Sequence, residues 1–280
     1  MIGIVNGRVP GCNAARTAAG GAGWTVVSTS KFARDMIGEV GSGADRIAAT
    51  LSALDDAALR APSALPGWSR GHVATHIARN ADSLCNLLEW ARTGEEIPQY
   101  PSVERRNADI EAGAGRGGDE LAEDVRAGAA RFEQLARDLP EDAWDRTVRA
   151  MASYAHPAWY TILRRWHEVE AHHVDLDAGY GPDDWPEPYV DWAARSTLTD
   201  LAALPRERML GLAGHRIPAT DLGASVVLGE PNGAEASGTG RALLGWLSGR
   251  SDGSGVTVRP AGAPPEPPPW PHAPAGFPDA

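Results

Sequence analysis

Three of the eight histidines lie beside acidic residues in a single stretch, residues 164–176, whose pattern is that of one helix. Positions three, four and seven apart share a face of a helix, so Glu168 and His172 converge, with Arg165 and Asp175 on the same face. A carboxylate and an imidazole four residues apart can bind one divalent metal ion if a third ligand arrives from another helix. The alternative is an exposed Glu/His pair on a solvated face.

A neighbouring face of this helix reads as a core-facing seam that contains a histidine. Its members are Trp166, Val169, His173 and Leu176. The segment is not the HExxH helix of a zinc protease, because His167 and His172 are five residues apart and lie about 140° from each other around the helix axis. We therefore expect metal binding through Glu168 and His172, without a protease motif.

The third ligand is expected from an earlier helix, which Ser69 begins as its N-cap and which runs to about residue 92. One polar face of this helix consists of His72, His76, Arg79 and Ser83. His72 lies in the first turn, where fraying and solvent make it a poor anchor, whereas His76 lies a full turn deeper. Position alone favours His76, and both histidines remain candidates at this point.

The composition limits the classes of partner. The chain has 280 residues, is 42% hydrophobic and carries a net charge of −11, which argues against nucleic acid or an anionic membrane as its main partner, because both require a basic face. No apolar run is long enough to span a bilayer and no signal-peptide pattern is present, so we expect a cytoplasmic protein that binds small ligands. Cys12 and Cys85 are too few for a disulfide framework, and Cys85 is expected to be a small hydrophobe, not a nucleophile.

The order of patterns along the chain predicts two domains after a flexible extension. Residues 1–34 form the glycine-rich extension, residues 35–182 form a mainly α four-helix bundle, and residues 183–280 form a small α+β domain with a proline-rich tail. The predicted bundle helices span residues 36–59, 70–92, 119–139 and 157–179. Pro157 suits the first turn of the last helix, and residues 93–118 read as a long polar connection.

The second domain is predicted from short patterns separated by glycines. Its predicted helices span residues 189–204 and 240–247, and its predicted strands span residues 208–212, 216–217, 224–228 and 256–258. The nine prolines from Pro260 onward predict an extended, irregular tail.

Three segments of the chain carry a combined signal. They are residues 65–82, with the sequence LPGWSRGHVATHIARNAD, residues 168–176 and residues 244–250. Together they resemble the mycothiol-dependent maleylpyruvate isomerase family, over about residues 36–270. The resemblance implies a DinB-like metal-binding four-helix bundle in the N-terminal half. It also implies that His76, Glu168 and His172 hold the metal, which settles the choice between His76 and His72.

The implied activity is that of an isomerase with two cofactors, a zinc-type divalent metal and mycothiol. The metal would hold the thiol as a thiolate near neutral pH, and the thiolate would add to a cis double bond, allow rotation and leave. Arg79 and Asn80, one turn beyond His76, are expected to contact that thiol; exposure or bundle packing is the alternative. The expected partners are a small electrophile and a low-molecular-weight thiol, and the sequence does not predict the oligomeric state.

Two other functions remain compatible with the same ligands. A mycothiol S-transferase would share the addition step but leave the thiol attached to the electrophile. A non-catalytic metal-binding or thiol-sensing module is the third alternative, although a bare sensor would not require a second domain.

Arg250 is the predicted catalytic residue of the second domain. It lies in the glycine-flanked turn after the helix at residues 240–247, from which it could reach toward the metal. A dicarboxylate such as maleylpyruvate needs cationic partners, and the planar guanidinium matches a carboxylate through two parallel hydrogen bonds. The alternative is an exposed arginine that caps the preceding helix.

Overall fold

The computed structural model describes residues 29–152 and 154–269. The helices in this part of the chain are α1 (Ser30–Asp35), α2 (Ile37–Ala53), α3 (Asp56–Arg60), α4 (Arg70–Thr93), α5 (Val103–Gly113), α6 (Gly118–Arg137), α7 (Tyr160–Asp175), α8 (Glu187–Ala203) and α9 (Gly240–Leu247). The strands are β1 (Thr147–Arg149), β2 (Ala155–Pro157), β3 (Arg216–Ala219), β4 (Ala224–Val227), β5 (Glu235–Ser237) and β6 (Thr257–Arg259).

The long helices α2, α4, α6 and α7 form the predicted four-helix bundle. Helix α2 packs on α6 and α7, and α4 packs on the same two helices, so the four surround one core. Ser69 caps α4 by accepting a hydrogen bond from the backbone of His72, and Gly94 ends the helix in a left-handed conformation. The apolar face of α4 and the Trp166 seam of α7 are buried in this core, as their spacing predicted.

Arg70 connects the beginning of α4 to the end of α7. Its Nε donates to the carbonyl oxygen of Leu176 at 2.7 Å, and its Nη2 donates to that of Asp177 at 2.6 Å. The last carbonyl groups of a helix have no partner within the helix, so a guanidinium is well suited to this position. The contact sets how far α7 extends along α4 and therefore which side chains of the two helices meet.

The C-terminal region contains a four-stranded sheet in the order β4-β3-β5-β6, in which β3 and β5 are parallel and the other pairs antiparallel. Helix α8 packs on α9 and β4. The first half of α8, including Tyr189 and Trp192, is buried in the bundle core, whereas Leu198 and Leu201 belong to a second core with α9 and the sheet. Helix α8 thus connects the bundle to the α+β region.

Several predicted elements differ from the observed ones. Helix α5 occupies a stretch that was predicted as a connection. Only Ile110 and Gly113 of this helix are buried, so its sequence has little of the apolar periodicity by which a helix is predicted. Pro157 does not begin a helix; it ends β2, which pairs with β1 in a short hairpin. Residues 208–212 form 3-10 turns and not a strand, and the first predicted helix divides into α2 and α3 at Leu54.

Part of the predicted N-terminal extension is helical. Residues 30–34 belong to α1, whose Ala33 is buried in the bundle core. Residues 1–28, with Cys12, and the proline-rich residues 270–280 lie outside the described residues. Among the helices of the described part of the chain, none combines the length and apolarity needed to cross a membrane.

The close approach of α4 to the end of α5 generates a stability prediction. A Cβ at Gly71 would lie 2.1 Å from the carbonyl oxygen of Ala114, whereas a Cβ at Gly38 in α2 would meet nothing within 4 Å. We expect Gly71→Ala to lower the free energy of unfolding by about 1–3 kcal/mol through steric overlap. Gly38→Ala is the matched control and should raise it by about 0.4–1 kcal/mol. Chemical denaturation measures both, and an unchanged or raised stability of Gly71→Ala would contradict the prediction.

Candidate metal centre

The side chains of His76, Glu168 and His172 meet between α4 and α7. The distances from His76 Nε2 to Glu168 Oε2, from His76 Nε2 to His172 Nε2 and from His172 Nε2 to Glu168 Oε2 are each 3.2 Å. Ligand atoms that bind zinc at about 2.0–2.1 Å in a tetrahedron lie about 3.3 Å apart. The three atoms therefore have the spacing of one face of a tetrahedral site, and these residues could hold a divalent metal ion.

The helices explain why these side chains meet. Glu168 and His172 lie on one face of α7, and His76 lies in the second turn of α4, which packs directly on α7. The Trp68 ring contacts the His76 ring edge-on, with 5.6 Å between centroids, and His76 is only 5% exposed. Burial in this position leaves His76 few orientations other than the one that faces Glu168 and His172.

The charges of the three residues suit a cation. Burial alone would raise the pKa of Glu168, but hydrogen bonds with His172 and His76 hold it well below its ordinary value, so the carboxylate is ionised. Burial lowers the pKa of His76 against the opposing effect of Glu168. Burial would also lower the pKa of His172, but hydrogen bonds with Asp175 and Glu168 raise it. Two imidazole nitrogens that face each other beside a carboxylate need a proton or a metal ion between them.

Asp175 and Arg250 orient the candidate ligand His172. Asp175 Oδ2 accepts a hydrogen bond from His172 Nδ1 at 2.8 Å and another from Arg250 Nη2 at 2.6 Å. A carboxylate on the second ring nitrogen fixes the tautomer that leaves Nε2 for the metal. Sequence reasoning placed Asp175 on the face of Glu168 and His172 but gave it no role, although its spacing of three residues from His172 was the available signal.

His72 lies outside this cluster. Its Nδ1 interacts with the backbone and side chain of Ser69 at the start of α4, and its Nε2 lies 3.1 Å from a carboxylate oxygen of Glu111. The first-turn histidine therefore completes the helix cap, and the deeper histidine, His76, faces Glu168 and His172.

The predicted thiol contacts, Arg79 and Asn80, have other partners. Arg79 pairs with Asp82 at 3.2 Å and with Asp124 at 2.6 Å. Asn80 is buried, and its Oδ1 accepts a hydrogen bond from Arg165 Nη1 at 2.8 Å. Neither residue lines the cavity described below, and their assignment to thiol binding stays a prediction.

Two further arginines near the ligands were missed from the sequence. Nη2 of Arg106 in α5 lies 3.3 Å from Nδ1 of His76. Arg165 is fully buried behind Glu168 and donates to the carbonyl oxygen of Ile77; burial lowers its pKa to about 10. Arg106 was missed because residues 93–118 were predicted as a polar connection. Arg165 was predicted only as a member of the helix face that contains Glu168.

A cavity of about 800 Å³ opens beside two of the three candidate ligands, Glu168 and His172. It is lined by Glu168, His172 and Asp175 of α7, by residues 64–66 before α4, and by Ser248, Gly249, Arg250 and Ser251 after α9. This volume is within the range of cavities that bind small molecules. Glu168 and His172 therefore lie where a ligand could reach them, and Arg250 of the C-terminal region forms part of the cavity wall; its role in binding a carboxylate stays a prediction.

Cys85 lacks the environment of a reactive thiol. It is half-buried, and burial together with the charge of Asp82 raises the pKa of its thiol to about 11. A thiol of this kind stays protonated at neutral pH and is a poor nucleophile. The sequence-based expectation for Cys85 agrees with this environment.

The ligand geometry predicts the metal content of two histidine variants. His172→Ala removes one of the three donor atoms and should abolish stoichiometric zinc binding, as measured by elemental analysis after dialysis against zinc. His72→Ala is the matched control, because it removes a histidine of the neighbouring helix cap and should keep one equivalent. A full equivalent of zinc in His172→Ala, or loss of zinc in His72→Ala, would contradict the assignment.

Comparisons with known proteins agree on one family. The sequence profile described as the mycothiol maleylpyruvate isomerase N-terminal domain matches residues 40–177. Two crystal structures are similar to this chain, one of a mycothiol-dependent maleylpyruvate isomerase and one of a histidine-to-alanine mutant. Each is 30% identical, with TM-scores of 0.73 and 0.74, and the match covers 87% of this chain and 98% of the other. No curated protein matches. The chain belongs to the mycothiol-dependent maleylpyruvate isomerase family.

Proposed function

We propose that this protein is a metal-assisted, mycothiol-dependent isomerase that converts a cis double bond of a maleylpyruvate-type substrate to the trans form. The observation that carries the proposal is the set of three donor atoms, 3.2 Å apart, at the edge of a cavity of about 800 Å³. The solved relatives are mycothiol-dependent maleylpyruvate isomerases, which supports both the thiol and the substrate class.

The residues of this chain divide the work of holding the metal. His76, Glu168 and His172 would bind it, with zinc favoured by the nitrogen and oxygen donors and their tetrahedral spacing. A divalent ion there would supply the positive charge that favours the deprotonated form of a nearby thiol at neutral pH. Asp175 keeps His172 in the required tautomer, and Arg250 keeps Asp175 in place.

The reaction requires that a double bond become a single bond for the time of one rotation. Reversible addition of a sulfur nucleophile to an electron-poor double bond does this, and elimination then gives the trans product. The cavity walls bind and orient the reactants, which raises their effective concentration. A reduced thiol pool is a property of the cytoplasm, so we infer that the enzyme works there.

A direct assay separates the isomerase from the transferase alternative. With mycothiol and maleylpyruvate, we expect fumarylpyruvate to form with no net loss of free thiol. Chromatography measures the fumarylpyruvate, and titration measures the free thiol. Stoichiometric loss of thiol would identify a transferase, and no reaction would contradict both.

Cys85→Ala should keep full activity, because the thiol of Cys85 is protonated and takes no part in the reaction. An inactive but zinc-loaded Cys85→Ala protein would contradict the use of an external thiol.

Arg250 remains the proposed carboxylate-binding residue of the cavity. Its side chain is only 8% exposed, and it donates to Asp175 and to the carbonyl oxygens of Ala171 and Ser248. A shift of this fork toward a substrate would place one carboxylate beside the α7 ligands. The same contacts also support His172, so an effect on catalysis has to be separated from an effect on metal binding.

Arg250→Lys provides this separation. Lysine keeps the charge but loses the planar fork, and we expect kcat/KM to fall by about tenfold or more, corresponding to the loss of one charged hydrogen bond. Zinc content should be unchanged, because the lysine ammonium can still pair with Asp175. An equal fall in zinc affinity would show that Arg250 acts only through Asp175 and His172. Near-normal kinetics for Arg250→Lys and Arg250→Ala would remove Arg250 from the reaction.

A further inference from the structure

The surroundings of Glu168 are rich in positive charge although the chain is acidic, with 37 acidic and 26 basic residues. Three arginines near the candidate ligands come within 4.0 Å of no carboxylate among the residues that the structure describes. They are Arg106, Arg164 and Arg165. Guanidinium groups without a carboxylate partner are strong partners for an anion, so this part of the protein is suited to an anionic ligand.

Arg106 is held in place by aromatic rings and neutral groups. Its Cζ lies 6.0 Å from the centroid of the Trp68 ring and 5.8 Å from that of Tyr100. Its Nη2 lies 3.3 Å from Nδ1 of His76, and its Nη1 donates to Oδ1 of Asn107 at 3.1 Å. Aromatic faces stabilise a cation without using its N–H groups. The side chain is half-buried, so its remaining donors can be reached from solvent.

Arg164 approaches the same region from α7. It lies one turn before Glu168, on the same face of the helix. Its Nη1 contacts Nε2 of His156 at 3.1 Å, and its Nη2 donates to Oε1 of Gln99 at 3.1 Å. Both partners are neutral, since burial and the charge of Arg164 lower the pKa of His156 to about 3. The positive charge of this half-buried arginine is therefore not compensated by these contacts.

Tyr100 adds a buried hydroxyl group near Ser83 and Arg106. Its Oη is buried and has no hydrogen-bond partner of acceptable geometry among the described residues. Ser83 and Arg106 are polar neighbours of this hydroxyl, and the charge of Glu168 reaches it. A buried hydroxyl without a partner costs free energy. A bound ligand that accepts its hydrogen bond would remove this cost.

We propose that Arg106, Arg164 and Tyr100 form a carboxylate-binding subsite beside His76 and Glu168, and that it takes the acid group of an α,β-unsaturated carboxylic acid. All three side chains offer hydrogen-bond donors, which a carboxylate accepts from several directions at once. The inference rests on the proposed function for the identity of the reacting molecule. It adds a second cationic position to Arg250, as a substrate with two carboxylates would require.

Maleate binding to the zinc-loaded protein tests the subsite by isothermal titration calorimetry, with no thiol present. We expect the Kd for maleate to rise about tenfold or more in Arg106→Gln and in Arg164→Gln, because each loses a charged hydrogen bond. Arg105→Gln is the matched control, since Arg105 is exposed and pairs with Asp109 at 3.0 Å; its Kd should stay within about twofold. Zinc content and melting temperature are measured for every variant.

Tyr100→Phe is the sharpest variant because it removes only the hydroxyl oxygen, which has no well-aligned protein partner among the described residues. A purely structural tyrosine predicts unchanged maleate affinity, whereas the subsite predicts weaker binding with an unchanged or raised melting temperature. The inference is overturned if wild-type protein does not bind maleate. It is also overturned if Arg106→Gln, Arg164→Gln and Tyr100→Phe all bind it normally, or if neutral maleamide binds as tightly as maleate.

The maleate titration tests the subsite independently of the proposed function, because it involves neither mycothiol nor turnover. A protein that does not isomerise maleylpyruvate but loses maleate affinity in Arg106→Gln, Arg164→Gln and Tyr100→Phe contradicts the isomerase and keeps the subsite. A protein that isomerises maleylpyruvate while the same variants bind maleate normally contradicts the subsite alone.

Discussion

The placement of one ionised carboxylate between two imidazoles is the constraint on which the rest of this structure depends. Glu168 Oε2 lies 3.2 Å from the Nε2 atoms of both His76 and His172, and such a spacing is possible only if α4 and α7 keep a fixed register. Arg70 maintains this register by binding the carbonyl oxygens of Leu176 and Asp177, which directly follow α7. The absence of a side chain at Gly71 allows the carbonyl of Ala114 to approach the start of α4. The packing of α4 on α7 in the bundle is thus what brings His76, Glu168 and His172 together.

The C-terminal region is connected to the same constraint through a chain of hydrogen bonds. Arg250 binds Asp175, and Asp175 binds His172, so a residue after α9 determines the orientation of a candidate ligand on α7. Helix α8 reinforces this connection because it contributes to both hydrophobic cores. A second region of this kind both forms a wall of the cavity and stabilises the candidate ligands. This arrangement gives a physical reason for the bundle and the α+β region to occur in one chain.

Charge is distributed unevenly around the candidate ligands. The carboxylates of Glu168 and Asp175 stay ionised because hydrogen bonds and nearby cations lower their pKa values despite burial. Arg106, Arg164 and Arg165 lie on the Glu168 side of this site and form no close ion pair with Glu168. Their positive potential attracts anions from solvent. An acidic protein can therefore present a locally cationic region to a small anionic ligand.

The amino-acid sequence by itself determined the features that depend on local periodicity. The spacing of four residues brings Glu168 and His172 onto one face of a helix, and Ser69 marks the start of α4, whatever the rest of the fold. Tertiary structure decided which residues of other segments reach that face. His76 faces α7 while His72 completes a helix cap, and Arg106 arrives on a mostly exposed helix that has little apolar periodicity. Helical periodicity specifies neighbours within about one turn, whereas contacts between helices depend on packing and register, which no single segment encodes.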